Sequence, residues 1–363
     1  MVKQLLLEML KVCFDNEYAS VSQSYPQDEL LLNAAYHHDV GLLIGDMMKL
    51  ERRQRLVNRI LKQKNLKRYE ENLIHFDPVA YQLELLGIDY VITKGIYAAK
   101  TAYVDESYRR SDDLDVIIRR EDYLKVKQIL NNHGYLQGIY NSVTDEIEQL
   151  SRRQELFFLT YTNQSAPFLK KTGDDFLPII NLDVNFYIFW ENREVWNSSE
   201  LLSNYQIFPY NGHRVKTFQD EYMLMHMCLH AYYDMNSIYQ LNKTFSYRLK
   251  YFSDIFGFIK RAKISWDKFR AVCTEYDVGK YIMYIFYYTS LVFDDKHLLT
   301  ISRLEVPDND FLNRFGLNNE GCFVWQDSFM NRLFCDNKES LLDKYCDDKM
   351  KAKMHQKRFF EEL

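Results

Sequence analysis

Two aspartates stand two residues apart in the run Arg109-Arg-Ser-Asp-Asp-Leu-Asp-Val-Ile-Ile118. If Asp113–Ile118 is a strand, its side chains alternate faces: Leu114, Val116 and Ile118 enter a core, and Asp113 and Asp115 project together from the other side. Two carboxylates on one face repel each other and call for a compensating cation. Arg109 and Arg110 supply part of that charge. A divalent metal supplies more, and Mg²⁺ or Mn²⁺ suits carboxylate and phosphate oxygens in octahedral geometry. A third carboxylate lies in Pro178-Ile-Ile-Asn-Leu-Asp-Val-Asn-Phe186, where Ile180, Leu182, Val184 and Phe186 make one apolar face and Asn181, Asp183 and Asn185 the other. Three aspartates around two metal ions can polarise an α-phosphate, activate an attacking hydroxyl and stabilise a pyrophosphate leaving group.

Short β-rich runs must position these groups: Ile88–Thr93, Leu114–Ile118, Leu156–Tyr161 and Ile179–Phe189. Between the first two Asp runs a helix is expected, because Glu121-Asp122 suit a first turn and Tyr123, Val126 and Leu130 share a face. Gly134 is placed to end it in a left-handed conformation. Residues 1–80 read as helices, with Leu30, Leu31, Ala34, Ala35 and His38 at helical spacing, and helical periodicity returns from Gln219 to about residue 295. With only 12 Gly and 6 Pro, the chain favours long helices over frequent turns. The expected fold class is α+β, a small α/β core with flanking helical segments. The segments are an N-terminal helical one (1–80), the core (81–190), a C-terminal helical domain (191–300) and an extension (301–363) ending in a charged, helix-like tail.

A net charge of −5 with interspersed signs argues against non-specific nucleic-acid binding. Six scattered cysteines without ligand spacing read as reduced, mostly buried thiols. The N-terminal segment, interrupted by Glu8 and Lys11, reads as an amphipathic helix rather than a signal peptide. The uncharged apolar run Tyr281–Phe293 has 13 residues, too few to span a bilayer. A cytoplasmic protein with no membrane partner is expected.

The order of Lys94-Gly95 after a β-rich run, an arginine-rich approach to Asp113-Leu-Asp115 and Asp183 on a later strand resembles the polymerase-β-like nucleotidyltransferase superfamily. It is most similar to a bacterial branch with Lys-Gly in place of Gly-Gly or Gly-Ser. Tyr36-His-His-Asp-Val-Gly-Leu-Leu43 resembles that branch's N-terminal helix. His226-Met-Cys-Leu-His230, Arg248-Leu-Lys-Tyr-Phe-Ser-Asp254 and Ile264-Ser-Trp266 resemble its C-terminal helices. The resemblance spans about residues 30 to 295. It implies that Asp113, Asp115 and Asp183 ligate metal and carry catalysis, with an NTP as co-substrate. It implies too that Gly95 lets the backbone approach a triphosphate, with Lys94, Arg109 and Arg110 countering phosphate charge. Asn185 stands where the branch often has His.

Other groups have structural readings beside the functional ones. Arg109 and Arg110 could pair with Asp112 and Asp105 as surface ions. His226 and His230, four apart on an apolar helix, read as packed or hydrogen-bonded rather than metal-binding. Arg248 and Asp254 read as a polar contact between helices, and the 28 Tyr and 24 Phe chiefly as packing. The function this implies is transfer of an NMP from an NTP to an acceptor hydroxyl with release of pyrophosphate. The alternative is a catalytically inactive nucleotide-sensing or protein-binding module on the same scaffold. A small-molecule acceptor is favoured, with tRNA or protein possible.

Overall fold

In the computed structural model of the chain, residues 1–15, 28–189, 196, 199–242, 246–317, 321–335, 337–347 and 350 are described. The charged tail expected at the C-terminus lies largely outside them. Two compact units emerge, each assembled from separated stretches. A helical unit takes residues 1–62, 98–109 and 224–354, and a sheet unit takes 63–97 and 110–223.

The sheet unit is built on eight strands: β1 (Tyr90–Thr93), β2 (Leu114–Ile118), β3 (Leu136–Asn141), β4 (Glu146–Gln149), β5 (Phe168–Lys171), β6 (Ile179–Asn185), β7 (Tyr205–Tyr210) and β8 (His213–Phe218). Their spatial order is β4-β3-β5-β6-β2-β1-β8-β7. The sheet is mixed: β2 runs parallel to β6 and β1 parallel to β8, and the remaining neighbours are antiparallel. Leu114, Val116 and Ile118 are buried, as are Ile180, Leu182 and Val184. The alternation expected for β2 and β6 therefore holds. The helix after β2 runs Tyr123–Asn132 and stops where Gly134 takes φ +82°, which brings the Tyr135 N–H onto the Leu130 carbonyl.

Three expectations need correction. Leu156–Tyr161 is not a strand but the end of a helix, Arg152–Tyr161. Ser151 and Gln154 form a capping box at its start, and that local hydrogen bonding prevails over the β preference of the aromatic run. The run from Ile179 leaves the sheet at Asn185, although Phe186, Tyr187, Ile188 and Phe189 beyond it are buried. The hairpin β7–β8 lies inside the 191–300 segment assigned to helices. Its turn is Asn211-Gly212, with φ +46° and +88°. That is the two-residue geometry whose twist matches the flanking strands, and Asn-Gly is its sequence mark.

Asn211 and His213 tie this hairpin to the long helix Arg52–Leu85, whose residues from 63 onward belong to this unit. Asn211 donates to Glu70 at 3.0 Å, and His213 Nδ1 lies 2.6 Å from Asp77 with Nε2 3.5 Å from Glu70.

The helical unit packs helices Val2–Phe14, Glu29–His37, Gly41–Met47, Leu249–Arg261, Trp266–Glu275 and Gly279–Phe293 around an aromatic core, with most of Asp220–Asn236. Phe256 stacks on Phe293 at 4.0 Å between centroids, and Phe14 meets both edge-on. Tyr232 meets Tyr281 and Tyr284 at 4.9 and 4.8 Å, so these aromatics are packing, as expected. The uncharged run 281–293 is a buried core helix, and no described helix is long and apolar enough to cross a membrane. All six cysteines are free thiols, four of them buried. Gly257 lets its helix approach the chain at Ala102: a Cβ there would stand 2.3 Å from the Ala102 carbonyl oxygen.

Two stability tests follow from these contacts. Alanine is worth about 1 kcal/mol more than glycine inside a helix, but a methyl driven onto a backbone carbonyl costs about 1–3 kcal/mol or more. Gly257→Ala is therefore expected to lower the urea midpoint. Burial opposes charging of His213, but Asp77 and Glu70 outweigh it and raise the imidazole above its ordinary value. The stabilisation is fully present below about 6.5, the value of an unfolded histidine, and is lost as pH rises through the raised folded value. The gap in urea midpoint between wild type and His213→Gln should thus be wide at acid pH and shrink in mildly alkaline buffer.

Candidate active site

The carboxylates converge because of strand register. β2 and β6 are adjacent and parallel, and Asp115 sits directly opposite Asp183. On the other side of β2, Thr93 of β1 pairs with Asp115. Thr93, Asp115 and Asp183 thus form one row across three strands, with side chains on the same face. Asp113, on the bend that enters β2, joins them, and one oxygen from each of the three aspartates lies within 4.8 Å of the others. Among the described residues this is the one group of three or more His, Cys, Asp or Glu side chains brought together at ligating distance.

The three carboxylates act on one another electrostatically. Lys94 Nζ reaches Asp115 Oδ2 at 3.1 Å. Burial, then the nearby Asp113 and Asp115, hold the Asp183 carboxyl well above the usual carboxylate range, against the opposing pull of Lys94 and Gln164. Asp183 Oδ1 is buried and, among the described residues, accepts no hydrogen bond. A buried, unsatisfied carboxylate oxygen is costly unless something cationic or donating fills the place. The donor set is all oxygen and the charge negative, so these residues fit a hard divalent cation such as Mg²⁺ or Mn²⁺.

Lys94 and Gly95 lie where β1 gives way to the helix Gly95–Ala102. Both have positive φ, +49° and +40°. For Lys94 that left-handed geometry costs about 1–2 kcal/mol, strain of the kind that collects at functional sites. At Gly95 no atom would crowd a Cβ, so the glycine serves the backbone angle rather than space. The two arginines differ. Arg110 is exposed and pairs with Asp112 at 2.8 Å, one of the surface pairings anticipated for it. Arg109 belongs to the helical unit and is buried, with its Nε 2.9 Å from Asp254 Oδ2; Tyr103 donates to the other oxygen of that carboxylate at 2.7 Å. Asp254 therefore has an arginine partner, though it is Arg109; Arg248 pairs instead with Asp39. His226 is buried, and His230 lies 3.4 Å from Asp234, which also accepts from Tyr251.

Three residues that the sequence did not nominate position the cluster. Asn185 donates through Nδ2 to Asp115 Oδ1 at 3.1 Å. Gln164, bridged by its backbone to Asn185, donates to Asp183 Oδ2 at 3.4 Å. Arg68, on the long helix, holds the approach to Asp113 by bonding the Ser111 carbonyl at 3.1 Å and Asp112 at 3.2 Å. Asn185 carried a signal, being on the polar face of its strand; Gln164 and Arg68, far off in sequence, carried none.

Comparison with known proteins adds a family. Residues 26–294 match the profile of a family described as uncharacterised nucleotidyltransferases. No curated protein matches the chain. Among solved structures, an antigenic nucleotidyltransferase-like protein from Paracoccidioides brasiliensis is similar at 18% identity and a TM-score of 0.37, over 66% of this chain and 95% of that one, too loose a likeness to argue from. The family match, by contrast, takes in most of the chain, including β1, β2, β6 and all three aspartates. The chain belongs to this nucleotidyltransferase family.

Proposed function

We propose that the protein transfers a nucleoside monophosphate from an NTP to an acceptor hydroxyl, using Asp113, Asp115 and Asp183 with divalent metal. The observation that carries this reading is the convergence of three carboxylates, two from β2 and its entry and one from β6, beside a buried oxygen with no hydrogen bond among the described residues. A mutually repelling triad is hard to account for in a module that only senses or docks. When bound, divalent cations would polarise the α-phosphate and offset charge on the leaving pyrophosphate.

The chain's own groups divide the remaining work. Asp113 and Asp115 would hold the cations, and Asn185, by donating to Asp115 Oδ1, fixes how that carboxylate is turned. Lys94 offers its ammonium to the phosphates, while the backbone turn at Lys94-Gly95 gives the triphosphate a close approach at a helix start. Asp183, with its carboxyl held above the usual range, accepts the proton of the acceptor hydroxyl. That oxygen attacks the α-phosphorus, the bond from α-phosphorus to the bridging oxygen breaks, and pyrophosphate leaves with the bonding pair. Arg110, exposed and paired with Asp112, is a candidate to counter phosphate charge. Arg109, matched to Asp254, orders its own loop in the helical unit.

A thermal-shift panel of ATP, GTP, CTP and UTP tests the reading. One nucleotide at roughly a hundredfold excess over its Kd should stabilise the wild type by about 2.7 kcal/mol, and only with Mg²⁺ present. Asp115→Asn should abolish that shift; a shift that survives the substitution, or needs no metal, would overturn the proposal. Asn185→Ala should weaken Mn²⁺ binding by about 10- to 100-fold, measured by titration calorimetry, as loss of a group orienting a metal ligand does elsewhere.

A further inference from the structure

The most one-sided stretch of charge in the protein lies on the long helix, where residues 52–69 hold eight Lys and Arg and no Asp or Glu, in a chain whose net charge is −5. Lys62, Lys67 and Arg68 have carboxylate partners. Arg52, Arg53, Arg55 and Arg59 are exposed, and among the described residues none of them meets a carboxylate at ion-pair distance. Their place is unfavourable for the helix itself. They crowd its first turns, where the macrodipole is positive, and no acid stands in the first turn to offset them. Local helix energetics therefore give no reason for them.

Their arrangement does. At 100° per residue, Arg55, Arg59 and Arg52 fall along one edge of the exposed arc and Arg53 toward the other, where Val57, 45% exposed, lies beyond it. Between them run Leu56 and Ile60, one turn apart, 55% and 39% exposed. The opposite side of the helix is the buried one, marked by Asn58, which bonds Tyr36 and Asp46. An aliphatic ridge flanked by arginines, whose long stems let the guanidinium reach outward, is the surface of a helix that lies flat on an anionic bilayer.

We infer that this face docks the protein on an anionic lipid surface. Leu56 and Ile60 would enter the boundary between headgroups and acyl chains, and the four arginines would meet lipid phosphates. The other polyanion such a patch could take, single-stranded nucleic acid, calls for aromatic side chains on which bases stack. This arc has none; its centre is aliphatic. Binding of this kind needs no membrane-crossing helix, and it is independent of the nucleotide chemistry.

Flotation of the full chain with vesicles tests the inference, comparing phosphatidylcholine alone with phosphatidylcholine containing phosphatidylglycerol. Binding should require the anionic lipid and weaken with salt. An arginine at such a surface is worth about fivefold in partitioning, so Arg52→Ala/Arg55→Ala/Arg59→Ala should cut it on the order of a hundredfold. Leu56→Gln/Ile60→Gln should also weaken binding while leaving its salt dependence in place. All five side chains are solvent-facing, and circular dichroism checks that the variants keep their fold. No difference between the two vesicle types, or unchanged binding by the Leu56/Ile60 variant, would overturn the inference. So would RNA displacing the protein from vesicles through the same arginines at lower concentration than soluble phosphate does.

Discussion

The register between β2 and β6 is the constraint on which the site depends. Parallel neighbours place Asp115 opposite Asp183 at the separation of adjacent strands, about 4.8 Å. Neither carboxylate can move away without unzipping the apolar pairs on the reverse face, Leu114 with Leu182 and Val116 with Val184. A slip of one residue would turn all of these to the wrong side together. Apolar burial on one face thus holds acids together on the other, and the repulsion is sustained by packing that has no part in the chemistry.

The consequences spread outward from that row. Asp183 is the most burdened member, buried and facing two like charges, and its carboxyl is raised accordingly. Lys94 relieves Asp115 directly, but reaching it requires a left-handed residue at the end of β1, and Gly95 continues the same turn. Strain in the backbone and strain in the electrostatics therefore sit side by side. Asn185 and Gln164 contribute hydrogen bonds without adding charge, and so fix carboxylate orientation while leaving the cluster's negative potential available to a cation.

The helical unit follows a different logic. Its core is aromatic stacking, tight enough at Gly257 to exclude a methyl group, and it holds the buried pair Arg109–Asp254 and the half-buried pairs Arg248–Asp39 and Lys62–Asp46. Beside these pairs, Arg52, Arg53, Arg55 and Arg59 of the long helix, exposed and without an ion pair among the described residues, are a surface feature rather than a structural one.

Much of this was written locally in the chain. The alternation in Leu114–Ile118 and Ile180–Val184 dictated two strands with acids on one face, because strand period is a property of consecutive residues. Gly134 marked a helix end for the same reason, and Asn211-Gly212 marked a hairpin that was there to be read. The Ser151 capping box, equally local, outweighed the β preference of the aromatics after it. What no linear reading could supply was adjacency. That β2 neighbours β6 rather than β3, that Asn185 donates to Asp115, and that Arg109 is matched to a residue 145 positions away are products of long-range packing. Residue types and periods determined which side chains could do chemistry; tertiary structure decided which of them meet, because register and burial are settled only when distant segments share one core.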